Sequence, residues 1–455
     1  MASDSIQQSE AQVALILGPD SAHLESLISQ LMSSSNDQRS QAESLFNLCK
    51  QARPEALLLG LAHLLHSSPN PETRTMSAIL LRRHLTRHHD SFLWPLLSPP
   101  ARSSLHSLLL SSLHNEPLKS ITKKLCDTIS ELAAATLPDD AAAWPDLLPL
   151  LFQWVTSPDP RLQEISLLIF AQLAHYIGQT LLPQISTLHS VFLRSLHSST
   201  PSDVRIAALA AAINFIQCLT NSSDRDRFQD LLPLMMQTLT EALNSGQEAV
   251  AQEALELLIE LAGTEPRFLR RQIVDVVGSM LQVAEAEALE EGTRHLAIEF
   301  VVTLAEARER APGMMRKLPQ FVRKLFGVLM NLLLDIEDDP AWHGAEDEEE
   351  DAGETSNYGF GQECLDRLSI SLGGNTIVPV ASELLPTYLS APEWEKHHAA
   401  LIALAQIAEG CSKVPLLAVV LLLFTRLLGM CFWCFLAFLF EAFVFLCIVR
   451  MNVRM

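Results

Sequence analysis

Glycine and tyrosine are scarce in these 455 residues, at 17 and 3, and few runs alternate Val, Ile, Thr or Tyr with polar residues between turn signals. Sheet-forming sequence is therefore largely missing. That excludes sandwiches, barrels and doubly wound sheets and leaves an all-helical chain. Basic charge is short as well: 32 Lys and Arg stand against 53 Asp and Glu, for a net charge of −21. Such a balance speaks against direct nucleic-acid binding and for soluble partners with basic surfaces. The opening MASDSIQQSE has no basic segment and no apolar run, so no secretory signal is expected.

Catalytic and metal-binding patterns are missing too. There is no Walker A, G-x-S-x-G or H-E-x-x-H sequence. Gly359-Phe360-Gly361 lacks a third glycine and a preceding strand. Cys431-Phe432-Trp433-Cys434 lies in an apolar run without a second pair, which suits neither zinc nor redox chemistry. His84 and His88 form an i, i+4 pair beside His89 and Asp90, but Arg82, Arg83 and Arg87 surround them and no Glu or Cys stands at ligand spacing. The stretch reads as a solvated basic helix face. No enzyme, cofactor or metal site is expected. The eight cysteines, Cys49, Cys126, Cys218, Cys364, Cys411, Cys431, Cys434 and Cys447, are mostly isolated on apolar faces and read as reduced core residues of an intracellular protein. The sequon at Asn221-Ser222-Ser223 reads as an ordinary turn between helices.

What the chain does have is leucine, alanine and a period. A helix end of the form x-Leu-Ala recurs at Leu132-Ala133, Leu173-Ala174, Leu261-Ala262 and Leu304-Ala305, and as Ile407-Ala408. The first two lie about 41 residues apart, the third and fourth about 43, and the gap between holds two periods. A repeat of about 40–47 residues with two helices per unit is the HEAT pattern. Second helices fall at 158–174, 202–217, 246–262 and 292–306, each opening on Asp, Ser or Gly before apolar residues at i, i+3, i+4 and i+7. Ala207, Ala208, Ala211 and Ala251 permit close helix approach. First helices are expected at 144–155, 181–196, 227–243, 268–284 and 317–333. A Leu-Pro pair lies early in four of them, at Pro149, Pro183, Pro233 and Pro319, and suggests a shared curvature device. Further hairpins are expected upstream, from residue 23 to 135, and downstream, from 361 to 410. None can bury its apolar face alone, so stability must come from stacked neighbours. The expected fold class is all-α, a right-handed superhelical solenoid of about eight or nine HEAT hairpins.

Asp159-x-Arg161 and Asp203-x-Arg205 recur at the starts of second helices, where Asp159, Arg161, Asp203 and Arg205 are expected to link neighbouring repeats in a hydrogen-bonded ladder. Two segments break the rhythm. Residues 335–354 hold eleven acids and no Lys or Arg, and predict a solvated loop that either binds Lys/Arg-rich partners or only solubilises. From Pro415 the chain turns uniformly apolar, and 427–449 is long enough to span a bilayer. Two readings stay open there: a tail anchor, or a truncated product such as read-through into unspliced sequence.

The run Asn36, Arg39, Ala42, Glu43 and Leu45 or Phe46, followed by Arg74, Ser77, Ala78, Leu81 and Arg82, resembles the N-terminal domain of the importin-beta (karyopherin-beta) family. The stretch Ile336 to Trp342, with Asn357-Tyr358-Gly359 and the Trp394-Glu395 helix ending Ala-Glu-Gly at 408–410, resembles the importin beta-3 (importin-5) branch. The resemblance covers roughly residues 15–414. It implies a transport receptor shuttling between cytoplasm and nucleus, with Ran GTPase, basic cargo bearing nuclear localisation signals and FG-nucleoporins as partners. It places Ran candidates at Arg74, Arg82, Arg83, Lys119, Lys123 and Lys124. It also places Ran or cargo candidates at Asp338, Asp339, Trp342, Glu348, Glu349 and Glu350 of the acidic loop. The expected organisation is a flexible 1–20, Ran-binding repeats over 21–135, central repeats over 136–334, the acidic loop over 335–357, further repeats over 358–414 and the apolar tail over 415–455. The rival reading is a HEAT scaffold outside transport, held at a membrane only if 415–449 inserts.

Overall fold

The computed structural model describes residues 10–87, 92–140, 142–178, 181–307, 313–337 and 354–410. Cα proximity divides the chain into two compact units, Met1–Thr238 and Leu239–Met455.

In unit 1, α1 (residues 10–16) precedes five hairpins. These are α2 (Ser21–Leu31) with α3 (Asn36–Ala52), α4 (Pro54–Ser67) with α5 (Pro71–Leu85), and α6 (Pro99–Asn115) with α7 (Lys119–Thr136). Then come α8 (Leu147–Val155) with α9 (Pro160–Ile177) and α10 (Ile185–Ser195) with α11 (Ser202–Cys218). A short α12 (Ser222–Asp226) leads into α13 (Leu232–Asn244), inside which the boundary falls. First helices pack on first helices, as α4 does on α6, and second helices on second helices, as in the run α5, α7, α9, α11. The unit thus has a row of A helices and a row of B helices. Contacts join each helix to close neighbours in sequence, as in a stack whose members share one core.

The α9–α11 pair packs most extensively, and the reason lies in the side chains. Ala207, Ala208, Ala211 and Ala212 are all buried on α11, so the backbones approach closely. Where helices diverge, aromatics fill the space: Phe192, Phe215 and Phe228 are all buried, with ring centroids 5.7–6.3 Å apart. Asp20, Asn70, Ser98 and Asp159 cap helix starts by accepting backbone N–H bonds. Pro54, Pro71, Pro99 and Pro160 occupy first helical positions, where no N–H is needed. Asn221 of the sequon caps α12 in the same way.

Unit 2 continues with α14 (Glu248–Thr264) and the hairpins α15 (Ile273–Ala284) with α16 (Glu291–Glu306), α17 (Pro319–Leu332) with α18 (Ser356–Leu372), and α19 (Gly374–Leu389) with α20 (Trp394–Gly410). Its B row is α14, α16, α18, α20 and its A row α15, α17, α19. Helices α18 and α19 join without a linker. Gly373, at φ +74°, ends one helix with an N–H bond to the Ser369 carbonyl and starts the next. Only glycine takes that left-handed backbone without strain.

The A helices differ from expectation at their starts. Short 3-10 turns at Leu182–Gln184, Gln229–Leu231, Pro266–Arg271 and Met315–Lys317 precede α10, α13, α15 and α17, where continuous helices were expected from 181, 227, 268 and 317. Pro183 sits in one such turn, while Pro149, Pro233 and Pro319 lie in the first turn of α8, α13 and α17. A missing N–H has no helical acceptor to lose at those places. These prolines mark where A helices begin and do not kink their interiors.

The acidic segment is inserted inside one hairpin, between α17 and α18. Its described ends are tied together: Ile336 and Glu354 form an isolated antiparallel bridge. The Thr355 hydroxyl donates to the Asp335 carbonyl at 2.6 Å, and Asn357 Nδ2 donates to the Asp335 carboxylate at 2.7 Å. Asp338, Asp339, Trp342, Glu348, Glu349 and Glu350 lie outside the described residues, as do the tail from 411 and its four cysteines. Among the described residues no helix is long and apolar enough to cross a membrane. Cys49, Cys126 and Cys364 are buried free thiols. Burial pushes Cys49 up to about 11 and Cys364 up to about 12.

Candidate functional site

The expected partner contacts fall on the B row of unit 1, and they divide by how far their charge is already used. Arg74 on α5 is turned inward. Its Nε and one terminal nitrogen donate to the two carboxylate oxygens of Glu116 at 2.9 and 3.1 Å, and a third bond goes to the Ser68 carbonyl. Arg74 and Glu116 side chains are only 12% and 4% exposed. The Arg74 guanidinium is committed to a buried bidentate pair between repeats. Arg82, one helix face away, is 49% exposed and donates to Asp127 of α7 at 3.0 Å. Asp127 also accepts from Gln172 of α9 at 2.8 Å. Arg83 and Lys123 are exposed and Lys124 is half-buried.

Lys119, at the start of α7, reaches two helices at once. Its ammonium lies 2.8 Å from Asp203 of α11 and 3.2 Å from Glu164 of α9. Burial alone would lower the Lys119 amine, and the two carboxylate hydrogen bonds outweigh it and raise the pKa.

The Asp and Arg pairs at B-helix starts are placed as follows. Asp159 caps α9 through the Arg161 N–H at 2.9 Å. Arg161 sends its guanidinium back to the end of α6, donating to the carbonyls of Glu116 (3.0 Å), Leu113 (3.5 Å) and His114. These carbonyls are orphaned by the helix end, and a cation there also opposes the helix dipole. Arg205 is buried at the matching position of α11, while Asp203 faces Lys119.

Unit 2 uses a different set, which sequence reading missed. Glu248 of α14 accepts from the Glu290 N–H at 2.9 Å and from the Thr293 hydroxyl at 2.7 Å, at the start of α16. Gln252 donates to Thr293 at 3.0 Å. Arg367 of α18 bridges to Glu299 at 2.6 Å and Glu306 at 2.9 Å on α16, with Glu363 at 3.4 Å on its own helix. Hydrogen bonds to Glu306 and then Glu299 raise the Arg367 pKa. Burial alone would raise the Glu299 carboxyl; bonds from Arg367 and Thr303 outweigh it and hold it below the usual range. The available signal was periodicity: Arg74–Glu116, Arg82–Asp127 and Glu248–Thr293 partners lie 42, 45 and 45 residues apart, one repeat in each case.

The A row of unit 1 carries a groove of about 830 Å³ between α6 and α8, lined in part by Arg102, His106, Leu110, Trp144, Gln153 and Trp154. His106 is sandwiched between Trp94 and Trp144, at 5.0 and 4.0 Å between ring centroids. Burial, and then the charge of Arg102, pushes its pKa down to about 4. His84, expected on a solvated face, is buried and stacks on Phe46 at 5.7 Å. Its turn of α5 faces the neighbouring hairpin, which overrides the basic flanks. His88, His89 and Asp90 lie outside the described residues. Among the described residues no group of three His, Cys, Asp or Glu side chains is placed to hold a metal.

Hairpins of one period, stacked in rows and linked by polar side chains from neighbouring repeats, define a HEAT-repeat protein. Links such as Arg74–Glu116, Lys119–Glu164 and Glu248–Thr293 span 42–45 residues, too far for the roughly 34-residue tetratricopeptide unit. Two family models match the chain: "IPO5-like, TPR repeats" over residues 117–279 and "Importin repeat" over 286–379. Importin subunit beta-3 of Saccharomyces cerevisiae is 26% identical over 369 residues, covering 79% of this chain and 33% of that protein. The probable importin-5 homolog of Dictyostelium discoideum is 24% identical over 393 residues, covering 85% and 35%. Among solved structures, Kap121p superposes with a TM-score of 0.72 at 25% identity, covering 87% of this chain and 37% of Kap121p. Kap121p bound to RanGTP matches at TM-score 0.72 and 26% identity, covering 85% and 36%. The chain belongs to the importin-beta (karyopherin-beta) family, on its importin beta-3/importin-5-like branch, a family of transport receptors and not of enzymes. It spans about a third of the length of the curated relatives it matches.

Proposed function

We propose that this chain corresponds to the N-terminal part of a nuclear import receptor that carries protein cargo into the nucleus under the control of RanGTP. The observation that carries the reading is the likeness, at TM-score 0.72, to Kap121p bound to RanGTP, together with a B row on which Arg82, Arg83, Lys119, Lys123 and Lys124 all reach or approach the surface. Those five residues are the proposed Ran contacts, with Arg74 supporting them from below. Kap121p has also been solved bound to Pho4p, to Nup53p and to the SUMO protease Ulp1p, which supports cargo and nucleoporin partners for this chain as well. Asp338, Asp339, Trp342, Glu348, Glu349 and Glu350 are proposed to meet basic cargo or Ran. FG-nucleoporins are assigned to the A-helix side, where the α6–α8 groove lies. Shuttling between cytoplasm and nucleus follows from this role.

Capture of the purified chain on immobilised Ran tests the proposal. Retention on RanGTP and not on RanGDP is expected, and the double variant Arg83→Glu/Lys123→Glu should lose it. Equal retention on both nucleotide forms, or on neither, would overturn the reading in favour of a scaffold outside transport.

A further inference from the structure

Three of the six cations expected to contact a partner are already matched by this chain's own carboxylates, and two of those pairs are on the surface. Lys119 is 51% exposed and Asp203 58%; Arg82 is 49% exposed and Asp127 34%. An acidic surface approaching the B row of unit 1 therefore meets the carboxylates together with the cations. The Lys119 cluster holds one ammonium against two carboxylates, Glu164 and Asp203, so it carries one net negative charge at neutral pH. The Arg82–Asp127 pair is neutral. Attraction is left to Arg83, Lys123 and Lys124, which have no ion-pair partner among the described residues.

We propose that Asp203 and Asp127 are built-in counter-charges, competing with an acidic partner for Lys119 and Arg82 and so limiting how tightly this face holds that partner. The inference rests on the reading of α5 and α7 as a partner face. Its physical basis is general. An exposed ion pair contributes little to stability, so fold stability is a weak reason to keep these two acids. A like charge facing a charged partner weakens association and slows encounter. Removing either carboxylate raises the local charge by one unit without opening the core, because Lys119 keeps Glu164, Arg82 stays on an exposed helix face, and the amide oxygen left by Asp127→Asn still accepts from Gln172.

The test uses Asp203→Asn, Asp127→Asn and the double variant in the full chain, with two probes: RanGTP and a poly-glutamate peptide. Each single variant should tighten binding about three- to tenfold at low salt, and the double variant should combine the gains. The gain should shrink towards none at about 0.5 M salt, where screening acts within a few ångströms. Adding Lys119→Ala to Asp203→Asn should cancel its gain, a result that a purely structural role for Asp203 would not give. Thermal midpoints within a degree or two of the parent confirm an intact fold. Unchanged poly-glutamate binding overturns the inference, and weakened binding does so too, because the pairs would then be orienting the cations. Tighter poly-glutamate binding without any RanGTP binding keeps the counter-charges and discards the Ran reading.

Discussion

Units 1 and 2 solve the same problem with different sets of side chains. A hairpin stack leaves unsatisfied carbonyls at helix ends and unsatisfied N–H groups at helix starts. Unit 1 uses both signs: Arg161 donates to the last carbonyls of α6 and Arg74 grips Glu116 at the same corner, while Glu55 of α4 accepts the Ser98 N–H that opens α6. In unit 2 an anion reaches forward: Glu248 accepts the N–H that opens α16 and the hydroxyl of Thr293. Unit 2 is the more acidic in sequence, with eleven acids in residues 335–354 alone, while unit 1 keeps exposed Arg and Lys among its carboxylates.

That comparison can be broken in four places. The largest effect is expected from Glu116→Ala, which strands the buried Arg74 guanidinium. Loss of one partner of a buried pair costs about 3–5 kcal/mol, so urea unfolding monitored by hydrogen exchange should show α4–α7 opening early and α14–α18 unchanged. A loss below about 1 kcal/mol would show that the pair is not the corner of the stack. Next comes acid sensitivity of unit 1. His106 is held neutral by burial with a pKa of about 4, below the ordinary value of about 6.5. The folded state then binds fewer protons between those values, so its contribution is full above about pH 6.5 and is lost as pH falls towards 4. The drop is on the order of 3 kcal/mol, and His106→Phe should flatten it; an unchanged slope would place the sensitivity elsewhere.

Two smaller changes sharpen the unit 2 side. Glu248→Ala removes a carboxylate from a helix start and should cost about 1 kcal/mol, read as faster amide exchange in the first turn of α16 with α9 unaffected. Arg367→Ala should lower stability at neutral pH and change it little at acid pH, where Glu299 is protonated in either case. Glu299 is depressed in the folded state, so its contribution is present above the ordinary glutamate range and is lost as pH falls through the depressed value. Without Arg367 that acid-side decline should disappear. His398 of unit 2, lowered by burial, should leave a separate decline below about pH 6.5 in parent and variant alike.

Most of the architecture was legible because it repeats. The x-Leu-Ala helix ends and alanine-rich faces repeat in register, and the structure puts those alanines at the closest B–B contacts. Helix boundaries on the A side were less legible. Phe228, Leu231 and Leu232, and Leu269 with Ile273, keep helical apolar spacing, yet residues 229–231 and 266–271 form 3-10 turns. Site residues were legible by type and not by use. Arg74 and Arg82 look alike in sequence, eight residues apart on one helix, yet one is buried against Glu116 and the other is exposed beside Asp127. Nothing local separates them, because the deciding partner lies a repeat away. His84 shows the same lesson in reverse, its basic flanks masking a ring that the neighbouring hairpin buries against Phe46.

The clasp at the base of the acidic insertion has a practical consequence. Because Ile336 meets Glu354, and Asp335 holds both Thr355 and Asn357, the ends of α17 and α18 are fixed independently of what is strung between them. Doubling the length of such a span costs only about 0.6 kcal/mol of closure entropy. A reporter, an epitope or a differently charged sequence spliced between these clasped ends is therefore expected to leave the hairpin that carries it in register.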